Sequence, residues 1–157
     1  MTHNNPMVNP VSRDKMAKTM AKLFSTGQFT RSLDKGWVST PKTLVAIWCR
    51  SGLEKEFLSK TKTCSNILFI ESAENIIIPY LYKDKVCRYL PDFKVVLNDL
   101  SCMIVEVKSS YFQSFERSKR KEEALKAFCL AREIDCFILD EKEIDSWLER
   151  LEKKKLY

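Results

Sequence analysis

Two carboxylates and an amine fall inside a stretch that otherwise has the composition of an apolar β-hairpin. They are Asp92, in Pro91-Asp92-Phe93, and Glu106 and Lys108, in Val105-Glu106-Val107-Lys108. Val95-Val96-Leu97 and Cys102-Met103-Ile104-Val105 are β-formers, and Asn98-Asp99-Leu100-Ser101 between them is turn chemistry. A hairpin turning on Asn98 to Leu100 sets Asp92 directly opposite Glu106, with Cβ atoms about 5 Å apart. Strand parity sends Glu106 and Lys108 to one face and Met103, Val105 and Val107 to the other. Carboxylates opposed across a ladder repel, so this register needs a positive charge between them. A divalent cation supplies it, and Mg²⁺ is held by one or two carboxylates together with phosphate oxygens. A Glu-x-Lys triplet alone is ordinary solvated strand charge; the meeting of the two acids is what gives this one chemical interest.

A third acid comes from Arg50-Ser51-Gly52-Leu53-Glu54-Lys55-Glu56-Phe57-Leu58. Ser51 with Glu54 is the capping-box pattern at a helix start, and Leu53, Phe57 and Leu58 form a buried stripe. Glu54 either only caps or caps while facing a neighbouring sheet.

The elements that must position these groups follow from periodicity. The segment 1–11 is Asn- and Pro-rich, and Ser12 then caps a helix with the stripe Met16, Met20, Leu23 and Phe24 and with Lys15, Lys18 and Lys22 outside. Residues 1–35 are expected to form an arm that docks on the domain, a second subunit or DNA. Residues 36–157 form the main domain. Its expected strands are Ile67 to Glu71, Asn75 to Tyr82, Val86 to Leu97 and the Glu106 strand, with Lys83-Asp84-Lys85 as a polar turn. Glu116 to Arg132 has a helical pattern, Cys136 to Leu139 that of a short buried strand, and Glu141 to about Lys154 that of an amphipathic helix presenting Ile144, Trp147, Leu148 and Leu151. The fold class predicted is α/β, a central mixed β-sheet flanked by helices, with the Leu139 strand joined by a crossover helix. The acids are expected at an exposed edge of that sheet, between the Glu54 helix and the basic helix.

The order Ser51-x-x-Glu54, Arg88-Tyr89-x-Pro91-Asp92-Phe93, Glu106-x-Lys108, basic helix and short strand resembles the PD-(D/E)XK nuclease superfamily. Within it, the chain is similar to the end-cleaving (TnsA-like) nuclease subunit of heteromeric transposases, to phage junction-resolving endonucleases and to phage head-completion nucleases. The resemblance spans Gly36 to Ile144 and implies a restriction-endonuclease-like core. It also implies that Asp92 and Glu106 hold Mg²⁺ or Mn²⁺, that Lys108 orients or activates the attacking water, and that Glu54 completes the metal site from its helix. One departure is Ser109-Ser110, where many relatives continue the strand with Pro.

Composition is compatible with this. The chain has 157 residues, a formal charge of +6 and a pI near 9.0, suited to a polyanionic partner. His3 is the only histidine and there are three glycines, with no Walker-type loop, which argues against His-based sites and nucleotide-driven chemistry. The six cysteines lack C-x-x-C spacing and are expected to be reduced and mostly buried. No run is apolar enough to span a membrane, and the N-terminus lacks a secretion pattern, so a cytoplasmic protein is expected, in the host cytoplasm or virion-associated if phage-encoded.

The function expected is metal-dependent endonucleolytic hydrolysis of DNA, in phage or mobile-element processing such as DNA recombination. The metal polarises the phosphate and Lys108 neutralises charge on the phosphorane. Arg50, Arg117, Lys119, Arg120, Lys121 and Lys126 would grip the backbone, although a solvated helix face explains the helical cluster equally well. The alternative is a non-catalytic DNA-binding or assembly protein that keeps the fold and docks on a transposase, capsid or replication partner, or on a second copy, through the N-terminal helix. RNA in place of DNA is also open.

Overall fold

The computed structural model describes residues 18–19 and 35–153. The chain divides into two units, Met1–Asp34 and Lys35–Tyr157. In the first, only Lys18 and Thr19 are described, both helical and exposed. The rest of the expected helix from Ser12, with Met16, Met20, Leu23 and Phe24, lies outside the described residues.

The second unit is mixed α/β. It opens with β1 (Gly36–Val38) and β2 (Ile47–Cys49), an antiparallel pair in which Trp37 faces Trp48. Helix α1 (Gly52–Thr61) follows, then β3 (Ile67–Ser72), the hairpin β4 (Ile78–Tyr82) and β5 (Lys85–Tyr89), and the hairpin β6 (Phe93–Leu97) and β7 (Cys102–Val107). A short α2 (Ser110–Gln113), the basic helix α3 (Glu116–Leu130), β8 (Asp135–Leu139) and α4 (Glu143–Lys153) complete it. The central sheet has the order β3-β6-β7-β8, antiparallel except for the parallel β7–β8 pair that α3 connects.

The β6–β7 hairpin turns where its sequence requires. Phe93 pairs with Val105 and Val96 with Cys102, around a tight loop in which Leu100 has a φ of 67°. Asp99 stabilises the loop by accepting from Ser101 N–H and Oγ–H.

Strand parity then splits the core in two. Met103, Val105 and Val107 join Phe93, Val95 and Ile70 beneath α1 and α4, where Phe57, Leu58, Ile144, Trp147 and Leu151 are buried. Phe57 stacks on Phe93 at 5.0 Å between ring centroids. On the opposite face, Ile104 packs with Ile78, Tyr80 and Tyr89 of the β4–β5 hairpin and with Leu125 and Cys129 of α3. The sheet thus lies between two helices on one side and a helix plus a β-ribbon on the other.

Three expectations need correction. The strand expected from Val86 to Leu97 is two strands, β5 and β6, in separate sheets. Pro91 has no N–H for a ladder and restricts Leu90, so the chain leaves one sheet and enters the next across Leu90-Pro91-Asp92. The expected strand from Asn75 begins only at Ile78, because Ala73-Glu74-Asn75-Ile76 forms a turn closed by Ile76 N–H to Ala73 C=O. The hairpin strands β6 and β7 are also interior to the sheet, with β3 and β8 at its edges. The acids accordingly sit at one end of two central strands and not along a sheet edge.

Candidate active site

Asp92 lies one residue before β6, and continuing the register by one step places it opposite Glu106. Regular pairing has ended here, and the N–H of Val107 donates instead to Asp92 Oδ2 at 2.9 Å. The Asp92 carbonyl accepts from Ala73 N–H, so the residue is held at its backbone and at its side chain. Glu106 is held from the other hairpin: Tyr89 Oη, at the end of β5, donates to its Oε2 at 2.7 Å. Both acids are half-buried.

Burial and the facing Glu106 carboxylate, with Glu54 adding to them, hold the Asp92 carboxyl well above its usual range. Burial also raises Glu106, opposed by the Tyr89 hydrogen bond and by the Lys108 and Lys121 ammonium groups. Burial pushes the Lys108 amine down, with Lys121 adding to the effect and Glu106 opposing it. Tyr89 is raised far above the ordinary phenol range by burial and by Glu106, which keeps it a hydrogen-bond donor.

Lys108 follows β7, its N–H bonded to Leu139 C=O and its C=O accepting from Gln113 Nε2. A small cleft there is lined by Tyr89, Glu106, Lys108, Gln113, Lys121 and Ile138 among others. A larger depression lies elsewhere, beside Lys60, Ser65, Leu148 and Glu152, but it is open and does not include the acid pair.

Glu54 stands at the start of α1 and is buried. Its Oε1 accepts from Ser51 Oγ at 2.9 Å, its Oε2 from Arg50 N–H at 2.8 Å, and its own N–H donates to Ser51 Oγ. Ser51 thus caps the helix, and Glu54 reaches back to the Ser51 hydroxyl and, one residue further, to the Arg50 N–H in a variant of the capping box. Glu54 therefore acts on Asp92 electrostatically while both of its oxygens serve the helix start. Among the described residues, no three acidic, histidine or cysteine side chains are grouped to hold a metal ion. The donor set that fits a divalent cation is the Asp92–Glu106 pair, whose mutual repulsion such an ion would relieve. Two carboxylates are enough for Mg²⁺, which keeps several waters or substrate oxygens.

The expected DNA-binding residues divide. Lys121 turns toward the acids, its Nζ 5.6 Å from the Tyr89 ring centre. Arg117 donates to Tyr80 Oη and lies over Tyr82, so it braces the β4–β5 hairpin. Arg120 pairs with Glu123 and Lys126 with Glu122 along the helix, and Arg50 pairs with Glu74. Lys119 is exposed.

Sequence reasoning missed two neighbours of the acids. Tyr89 belongs to the Arg88-Tyr89-x-Pro91-Asp92 run, but its bond to Glu106 depends on the sheet change at Pro91, which was not foreseen. Cys49 ends β2 near both Glu54 and Asp92, and its thiol is pushed up to about 11 by burial and by those carboxylates. No protein-family model matches the chain, and no curated protein matches it in sequence.

Proposed function

We propose that this protein is a metal-dependent endonuclease that hydrolyses phosphodiester bonds in DNA, with Mg²⁺ or Mn²⁺ held by Asp92 and Glu106. The observation that carries this is the placement of two half-buried carboxyls opposite each other at the end of the hairpin, each fixed by a hydrogen bond, with Lys108 beside them. Paired acids that only stabilised a fold would more simply be replaced by apolar residues, since unneutralised buried charge costs stability.

When bound, the cation supplies Lewis acidity at the phosphate and lowers the pKa of a water molecule. Asp92 and Glu106 would hold the cation at the end of the sheet, offsetting the repulsion between their own charges and the phosphate. Tyr89 and the Val107 N–H keep each carboxylate from rotating. Lys108 places a compact positive charge where the phosphorane gains negative charge, and its lowered proton affinity lets Nζ hold or release a proton during attack. Lys121 adds a second positive charge on the same side.

Partners beyond DNA, including a second copy or a transposase, capsid or replication protein, belong to the same proposal. The test is incubation of the full-length protein with Mg²⁺ or Mn²⁺ and a panel of linear, nicked, branched and single-stranded DNA, with RNA counterparts. Hydrolysis that stops with chelator and with Glu106→Gln is expected. Cleavage of RNA alone would reassign the substrate, and hydrolysis unchanged in Glu106→Gln would overturn the site.

A further inference from the structure

The β4–β5 hairpin belongs to a two-stranded sheet of its own, apart from the central sheet. Its inner face is tied down: Ile78, Tyr80 and Tyr89 are buried against Ile104, Leu125 and Cys129. Its outer face is not. Leu81 and Val86 pair directly across the ribbon yet are 62% and 78% exposed, with Pro79 and Arg88 exposed beside them.

The tip carries a second signal. Lys83 and Asp84 have φ values of 49° and 57°, the left-handed conformation at both central turn positions that Asn-Gly or Gly-Gly would adopt with less strain. Keeping a lysine there costs backbone energy and sets an ammonium at the apex. Strain of this kind concentrates where a side chain has work to do. Lys83 lies over the Tyr82 ring, which Arg117 also approaches. Lys85 and Arg88 are exposed, and none of Lys83, Lys85 and Arg88 is in an ion pair among the described residues.

The base of the ribbon is at the candidate site through the Tyr89–Glu106 bond. Lys85 lies about 13 Å up the strand from Tyr89 at the usual rise per residue. A two-stranded ribbon fits the major groove of a duplex, about 12 Å wide. We infer that the β4–β5 ribbon is a groove-binding element for double-stranded DNA. Lys83, Lys85 and Arg88 contact phosphates flanking the cut, and Leu81 and Val86 lie against base edges. The inference rests on the nuclease function proposed above and extends it to which part of the substrate is held, and how far from the acids.

The experiment measures binding of the full-length protein to a labelled duplex by fluorescence anisotropy without divalent cation, across a salt series. Lys83→Gln/Lys85→Gln/Arg88→Gln should weaken binding at least tenfold. It should also reduce the slope of log affinity against log salt by about 2.7, at roughly 0.9 per lost phosphate contact. Leu81→Ser/Val86→Ser should weaken binding with little change in slope. All these side chains are exposed, so unchanged melting temperatures will show that the variants fold.

Wild-type affinity and slope in the triple variant would overturn the inference, even if the protein cleaves DNA. A protein that loses binding in the triple variant but cleaves nothing would keep the ribbon assignment and remove the nuclease function. Variants that alter self-association while binding DNA normally would assign the outer face to a second copy, against the inference.

Discussion

The two faces of the β6–β7 hairpin have opposite characters, one apolar throughout and one that ends in charge. Beneath α1 and α4, Phe93, Val95, Met103, Val105 and Val107 are dry and packed against aromatic rings. On the opposite face, one residue along, stand Ile104, then Glu106, then Lys108, under tyrosines and a basic helix. The lesson is one of division of labour within a single strand. Odd positions of β7 fix the hairpin by burial, so even positions at its end can carry charge that the fold itself does not need.

The largest effect expected is on the dry face. Phe93→Ala removes a fully buried ring stacked on Phe57 and should cost about 3–5 kcal/mol, read as a lowered denaturant midpoint. A loss below about 1 kcal/mol would mean that this face does not anchor the hairpin.

On the polar face, Asp92→Asn or Glu106→Gln should reduce turnover about 100- to 1,000-fold while DNA affinity stays level or rises, because a charge that repels phosphate is gone. Single-turnover cleavage and anisotropy separate the two effects. An equal fall in both would give the acids a binding role instead.

The polar face should also make stability depend on pH in a defined sense. The folded-state proton affinities of Asp92 and Glu106 are raised by burial, and for Asp92 further by its partner. Their contribution is fully favourable below the unfolded carboxylate pKa, about 4, and is lost as pH rises through the folded values. Metal-free Asp92→Asn should therefore melt higher than wild type at pH 8, with the gap closing near pH 4. A variant that is less stable at pH 8 would show that the Val107 N–H bond outweighs the repulsion.

A smaller contrast lies within α3. Lys121→Ala should lower turnover because Lys121 acts on Glu106 and Lys108, whereas Lys126→Ala, whose partner is Glu122, should leave it unchanged and cost no more than about 0.5 kcal/mol. Equal effects on turnover would dissolve the distinction between site and helix surface.

Much of this division was legible in the sequence, for a local reason. The turn residues Asn98 to Leu100 and the alternation along Met103 to Lys108 define register and faces without knowledge of anything distant. The stripe Ile144, Trp147 and Leu151 marked the buried side of α4 equally well. What escaped was set by tertiary placement. β propensity runs almost unbroken from Val86 to Leu97, and Pro91 alone marks the change of sheet. Nothing local reveals that β7 is interior, that β1 pairs with β2, or that Tyr89 returns to Glu106. The capping role of Glu54 was visible from Ser51, and that a capping carboxylate can also face a neighbouring sheet was an open reading; that both of its oxygens are taken at the helix start was not visible.

Direct titration of the full-length protein with Mn²⁺, followed by calorimetry in two buffers of different ionisation enthalpy, tests the proposed cation site at Asp92 and Glu106 without reference to cleavage. Saturable binding of Mn²⁺ accompanied by proton release, both lost in Glu106→Gln, is the result expected. Binding of Mn²⁺ by Glu106→Gln with wild-type affinity and proton release would contradict the account.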